Sequence, residues 1–259
     1  MTFNLFFGAK GCLKNLSDLR CNSNIYIDLF YQLSQIYYSI QSFTLEAKRI
    51  VSNGLVDLIS VQRNLKYFEM ILCYDLEDNV LANIIPSLML KLPNTLVKLE
   101  LFGEDYCIPL SFIANFSNLQ ELELSFEDKN FIDFEKLQYV IFPRLQVLKF
   151  SGEYPRVELL MKFLENNGKN LKEIYIGEKG MCCDNSLNLA IAKFYPNLSK
   201  LYIRIKHNEL ETLKIILNNY KILESIKIWC GMDYLSENEA LETVTKYSQN
   251  IHELIILSI

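Results

Sequence analysis

A six-residue pattern, apolar-x-x-apolar-x-apolar, recurs through the chain and limits its possible folds more than any other feature. The copies start at Leu16, Ile40, Leu65, Leu96, Leu119, Leu145, Leu171, Leu198, Leu223 and Ile251. Successive starts lie 24, 25, 31, 23, 26, 26, 27, 25 and 28 residues apart. Clear copies read LVKLEL, LQELEL, LQVLKF, LKEIYI, LSKLYI and LESIKI. The fourth and sixth positions are two apart, as in a strand that buries one face. A unit this short cannot bury its own apolar side, so neighbouring units must stack and share one core.

That period and spacing mark a leucine-rich repeat solenoid. The expected fold is an α/β horseshoe of about ten repeats, with a concave parallel sheet and convex helices. Residues 1–15 form a short leading segment and residues 16–259 the repeat domain. Helical spacing follows several hexads. In RVELLMKFLENN (156–167), Val157, Leu160, Met161 and Leu164 share a stripe, and Gly168 is a helix stop. Asn208, with Glu211 three residues on, is placed as an N-cap, and Ser236 with Glu239 as a capping box. Pro86 in VLANIIPSLMLKL starts a new turn, which makes the third repeat irregular.

The motif L-x-x-L-x-L-x-x-C occurs once in full, as Leu65, Phe68, Met70 and Cys73, within NGLVDLISVQRNLKYFEMILC. With the Cys21-Asn22 ending of the first hexad, this resembles the cysteine-containing repeats of fungal-type F-box proteins, over about residues 12–259. The resemblance implies the substrate-binding part of a receptor for a cullin–RING (SCF) ubiquitin ligase. The F-box, which recruits the ligase adaptor in that family, is missing from the 15 residues before the first hexad. Adaptor binding is therefore expected only if an F-box is supplied upstream. The family's buried Asn/Cys ladder is also replaced, by Asn24, Lys48, Cys73, Glu104, Glu127, Glu153, Lys179, Lys206 and Gly231. Charged side chains cannot build such a ladder, so these turns must satisfy their backbone differently.

Other function classes find little support. There is no Gly-rich phosphate loop, nucleophile elbow or C-x-x-C pair, and the only histidines, His207 and His252, stand 45 positions apart. Cys182-Cys183 and the acidic run Asp75, Glu77, Asp78 have no companion ligand set. The chain is read as no enzyme, with no cofactor and no metal. Residues 1–130 carry 10 basic and 15 acidic side chains; residues 131–259 carry 16 of each, so neither half has the basic excess of a general nucleic-acid binder. No signal peptide and no membrane span are visible, and the odd count of 7 cysteines suits reduced thiols. These features point to an intracellular protein, in cytoplasm or nucleus.

The expected activity is protein recognition on the concave face. Hexad position five gives a column Arg20, Thr44, Glu69, Glu100, Glu123, Lys149, Tyr175, Tyr202, Lys227, Ile255. Glu69, Glu100, Glu121 and Glu123 make one half acidic. Lys149, Lys200, Arg204 and Lys227 stand among Tyr175, Tyr202 and Trp229 in the other half. Trp, Tyr and Arg dominate interface energetics, so this second half is the expected centre of an unknown protein ligand. Trp229 is expected to face outward and to add little stability. The alternative is a structural or adaptor solenoid that self-associates through uncapped ends, with no link to ubiquitination.

Overall fold

The computed structural model describes residues 11, 13, 15–25, 27–78, 80–103, 108–127, 131–176, 185–195 and 197–258. Ten strands form one open parallel sheet in chain order. They are β1 (Asp18–Asn22), β2 (Ser42–Ala47), β3 (Tyr67–Leu72), β4 (Lys98–Gly103), β5 (Glu121–Phe126), β6 (Val147–Phe150), β7 (Glu173–Ile176), β8 (Lys200–Arg204), β9 (Ser225–Cys230) and β10 (Glu253–Ser258). The hexads align without a slip: Leu99 stands opposite Leu122, Leu122 opposite Leu148, and Leu148 opposite Ile174. Alternation is what locks this register, since a one-residue shift would turn every buried leucine to solvent.

Return legs carry short helices: α1 (Ile27–Ser34), α2 (Asn53–Ser60), α3 (Ile85–Lys91), α4 (Phe134–Leu137), α5 (Val157–Asn167), α6 (Asn185–Phe194), α7 (Leu210–Asn219) and α8 (Glu237–Tyr247). Hexad positions one, four and six feed a continuous core, with Leu96, Leu99 and Leu101 all at 0% exposure. In the middle repeats Phe126, Phe131, Phe134, Phe150 and Phe163 stack edge and tilt on one another. The third repeat is irregular as expected: a π-helical turn, Val80–Ile84, precedes α3, and Pro86 lies in the first turn of α3. There the chain passes from the π-helical turn into the α-helix, a change of hydrogen-bonding pattern at the residue that lacks an N–H. The Ser236–Glu239 capping box is present in both directions.

Two local expectations need correction. Asn208 does not cap α7; it sits inside a 3-10 turn, His207–Glu209, and the Glu209 carboxylate accepts from Lys206 N at 3.1 Å instead. The buried stripe of α5 is Leu160, Phe163, Leu164 and Asn167, with Val157 and Met161 only half-buried. Gly168 ends α5 as expected, in a right-handed conformation (φ −66°).

Asparagines at the opposite end of four strands take the place of the ladder. The residue before the hexad reaches back one repeat: Asn118 Nδ2 donates to Asn94 O at 2.9 Å, Asn170 to Pro143 O at 2.9 Å and Asn197 to Lys169 O at 2.9 Å. Asn250 does the same to Lys221 O at 2.5 Å. Where strands turn toward the convex side, Ser23 Oγ donates to Lys48 O at 2.7 Å and accepts from Lys48 N at 2.8 Å. Glu153 and Lys206 enter short antiparallel bridges with Phe126 and Tyr234. Glu104 and Lys179 lie outside the described residues, as do Cys12, Cys107, Cys182 and Cys183.

Burial, and then Glu46, pushes the Cys21 thiol up to about 12. Burial, and then Glu237 and Glu239, raises Cys230 to about 11. Both thiols are protonated at neutral pH and therefore poor nucleophiles. No described helix is long and apolar enough to cross a membrane.

Candidate functional site

The sheet register places hexad position five as one column across the concave face. Glu69, Glu100, Glu123, Lys149, Tyr175, Tyr202 and Lys227 are successive partners on β3 to β9. Glu121 and Lys200 stand in the flanking column two residues earlier, opposite Lys98 and Glu173 respectively. Arg204 and Trp229 pair across β8 and β9 in the other flank. Adjacent columns are two residues apart, about 7 Å, and adjacent strands about 4.8 Å.

The acidic half is internally charge-compensated in its middle. Lys98 Nζ lies 3.1 Å from both Glu100 and Glu121. Lys149 Nζ lies 3.6 Å from Glu121 and 3.2 Å from Glu173. Lys149 therefore belongs to the carboxylate belt rather than to the basic cluster of β8 and β9. Glu100, Glu121 and Glu123 bring carboxylate oxygens within 4.8 Å of one another, close enough to share a cation. Burial, and the repulsion of Glu123 and Glu69, raise the Glu100 carboxyl above its usual range, against the pull of Lys98. Partial burial disfavours the Lys98 ammonium, but hydrogen bonds to Glu100 and Glu121 outweigh it and its pKa rises. Thr44 Oγ1 donates to Glu69 at 3.0 Å, and Ser151 Oγ donates to Glu123 at 2.6 Å.

The other half is an aromatic–cation cluster. The Tyr175 and Tyr202 rings meet at 5.2 Å, tilted by 54°. Lys227 Nζ lies 4.8 Å from the Trp229 ring centre and 5.5 Å from that of Tyr175. The Arg204 guanidinium lies 5.5 Å from the Trp229 ring and 5.6 Å from the Tyr234 ring. Contacts of this kind are worth about 0.5–2 kcal/mol, more as water is excluded. Arg204 is 5% exposed, so it forms the floor of the cluster and does not project outward. Trp229 is half-buried, and its Nε1 is buried without a hydrogen-bond partner among the described residues. It walls the site and also covers Arg204, so its removal carries a stability cost that an outward ring would not.

Sequence reasoning missed Tyr234. It comes from the turn after β9, outside the hexad, where no periodic signal marks it. Away from the face, His207 is exposed and its ring nitrogen contacts Asp233 O at 3.1 Å; His252 is exposed on another repeat.

No family profile and no curated protein matches the sequence. Solved structures do resemble it. A leucine-rich repeat-containing protein of Legionella pneumophila, LegL7, superposes with a TM-score of 0.56 at 14% identity, over 93% of this chain and 83% of that one. It has a leucine-rich repeat fold. Another solved structure, the TLR13–ssRNA13 complex, matches with a TM-score of 0.51 at 16% identity, over 94% of this chain and 36% of that one. At these identities the likeness is one of fold. Both side-chain clusters stand on the open face of the ten-stranded sheet.

Proposed function

We propose that this protein is a non-catalytic recognition solenoid that binds a protein ligand on its concave face, centred on β7 to β9. One observation carries the reading: three neighbouring strands gather Tyr175, Tyr202, Lys227 and Trp229 into a single contact cluster over Arg204. Aromatic and arginine side chains held by neighbours lose little freedom on binding, which is why such residues become hot spots. The test is selection of displayed peptides on the purified chain. Bound sequences are then measured against Tyr202→Ala, Lys227→Glu and Trp229→Ala. Each substitution is expected to weaken binding by about 2 kcal/mol, a roughly 30-fold loss. Tyr139→Ala, at a convex residue 69% exposed, leaves binding unchanged. Selected peptides indifferent to all three concave substitutions would remove the basis for this reading.

The more specific version is the substrate-reading part of an SCF ubiquitin ligase receptor. Its support is the resemblance carried by Leu65, Phe68, Met70 and Cys73, a nine-residue motif that spans β3. On that version, purified ligase adaptor and cullin do not bind these 259 residues unless an F-box is fused ahead of them. A stoichiometric complex with the unfused chain contradicts it.

A further inference from the structure

A second feature of the concave face lies four strands from the aromatic–cation cluster. On β3 to β5, the column beyond the carboxylates reads Ile71, Phe102 and Ser125, opposite one another in register. With Cys73, Tyr74 and Glu127 they line a groove of about 350 Å³. Its apolar walls are open to solvent: Ile71 and Phe102 are half-buried, and Tyr74 is 87% exposed. The groove runs beside the row Glu69, Glu100 and Glu123, because Ile71, Phe102 and Ser125 each follow a glutamate by two positions on the same strand. Same-face neighbours on a strand stand about 7 Å apart.

The row carries more negative charge than its own lysines cancel. Glu69, Glu100, Glu121, Glu123 and Glu173 face Lys98 and Lys149, and Lys149 divides itself between Glu121 and Glu173. Glu69 and Glu123 are satisfied by hydroxyls, which donate a hydrogen bond but no positive charge. Lys149 also faces Glu123 across the strands, but two lysines among five carboxylates leave a net negative charge, so a cation arriving over the row is attracted at a partly desolvated surface, where charge counts for more than in water.

We propose that the groove between Ile71, Phe102 and Tyr74 takes the apolar side chain of an extended partner segment whose Lys or Arg, two residues away, lies over the Glu69–Glu100–Glu123 row. Alternation in an extended chain spaces residues i and i+2 by the same 7 Å that separates groove and row. This site shares the concave face with the cluster on β7 to β9 but depends on none of its residues.

The test uses the full chain and a fluorescein-labelled peptide, Gly-Ser-Gly-Arg-Thr-Phe-Gly-Ser-Gly, followed by anisotropy. Peptides with Glu-Thr-Phe or Arg-Thr-Ser in the centre are the controls. The expected result is saturable binding of the Arg-Thr-Phe peptide, with both controls at least tenfold weaker. Glu123→Lys and Tyr74→Ser each lower affinity at least fivefold while the thermal unfolding midpoint stays put; Tyr74 is exposed enough that its variant folds. Equal binding of all three peptides overturns the proposal. So does calcium that saturates the carboxylates and displaces the peptide, since the row is then a metal site. Loss of peptide binding in Tyr202→Ala with an unchanged thermal unfolding midpoint also overturns it and places the peptide on β7 to β9. A failure of the groove peptide with intact cluster-dependent ligands leaves the reading of β7 to β9 standing.

Discussion

Gly168→Ala is expected to cost at least about 3 kcal/mol, the upper end for overpacking a filled core. An added Cβ would sit 1.6 Å from Cε1 and 2.0 Å from Cδ1 of Tyr195. That ring is 1% exposed, among the largest fully buried side chains of the protein, and cannot swing aside without opening the stack between α5 and α6. The cause is contact and not backbone conformation, because Gly168 is already right-handed. A double-mutant cycle distinguishes the two. Tyr195→Ala alone should cost about 3–5 kcal/mol, as for other large aromatics. Combined with Gly168→Ala, the total should fall short of the sum by more than 1 kcal/mol, since the clash is gone. Additive losses in urea unfolding would mean that Gly168 is needed for some other reason. The Tyr195 hydroxyl is itself buried without a hydrogen-bond partner among the described residues, and burial drives its pKa far up. Tyr195→Phe should therefore be neutral or stabilising, because it removes a desolvated polar group without opening a cavity.

How much of this was legible beforehand depends on periodicity. The column from Arg20 to Ile255 could be written from the hexads alone, because a two-residue alternation leaves no freedom in which face a side chain takes. The same rule brought Tyr175, Tyr202 and Lys227 together. It said nothing about depth. Arg204 and Trp229 occupy equivalent flank positions, yet Arg204 is buried because Tyr234, from a non-repeating turn, closes over it. The carboxylate row was visible, but its lysines Lys98 and Lys149 were not assigned to it; ion pairing across strands needs side-chain reach, which spacing does not encode. The Asn ladder illustrates a search at the wrong end. Asn118-Leu119, Asn170-Leu171, Asn197-Leu198 and Asn250-Ile251 repeat in plain view, while the far turn carries mostly charged residues. In α5, Asn167 ended a stripe that hydrophobic periodicity could not extend, because the residue that completes the buried face is polar.

That polar residue leads to the second large effect. Asn167→Leu and Gln62→Leu are each expected to destabilise the solenoid by about 3 kcal/mol, although both put a larger apolar group into an apolar interior. The two amides form the same staple in different repeats. Gln62, 4% exposed, accepts from Ile40 N at 3.0 Å and donates to Tyr37 O at 2.8 Å and Leu58 O at 2.9 Å. Asn167, 3% exposed, accepts from Phe142 N at 2.6 Å and donates to Val140 O at 2.9 Å and Phe163 O at 3.0 Å. In each case one amide ties a helix's last turn to the N–H and carbonyl of the preceding repeat, where the chain leaves the convex layer for the sheet. Apart from the half-buried Val140 carbonyl, these backbone groups are buried, so the penalty is their desolvation without a partner, about 1–3 kcal/mol each and only partly recovered by relaxation. Transfer of the added leucine from water returns less than that. Gln62→Glu separates the contributions: it keeps an acceptor for Ile40 N but loses the donor to Tyr37 O and Leu58 O, and should be worse at neutral pH than in acid, where a protonated carboxyl donates again. Chemical unfolding of the four proteins at pH 7, and of the Glu variant also at pH 4.5, decides the matter. If the leucine variants prove as stable as the parent, the staples are incidental, and the repeats are held together by the leucine core and the strand ladder alone.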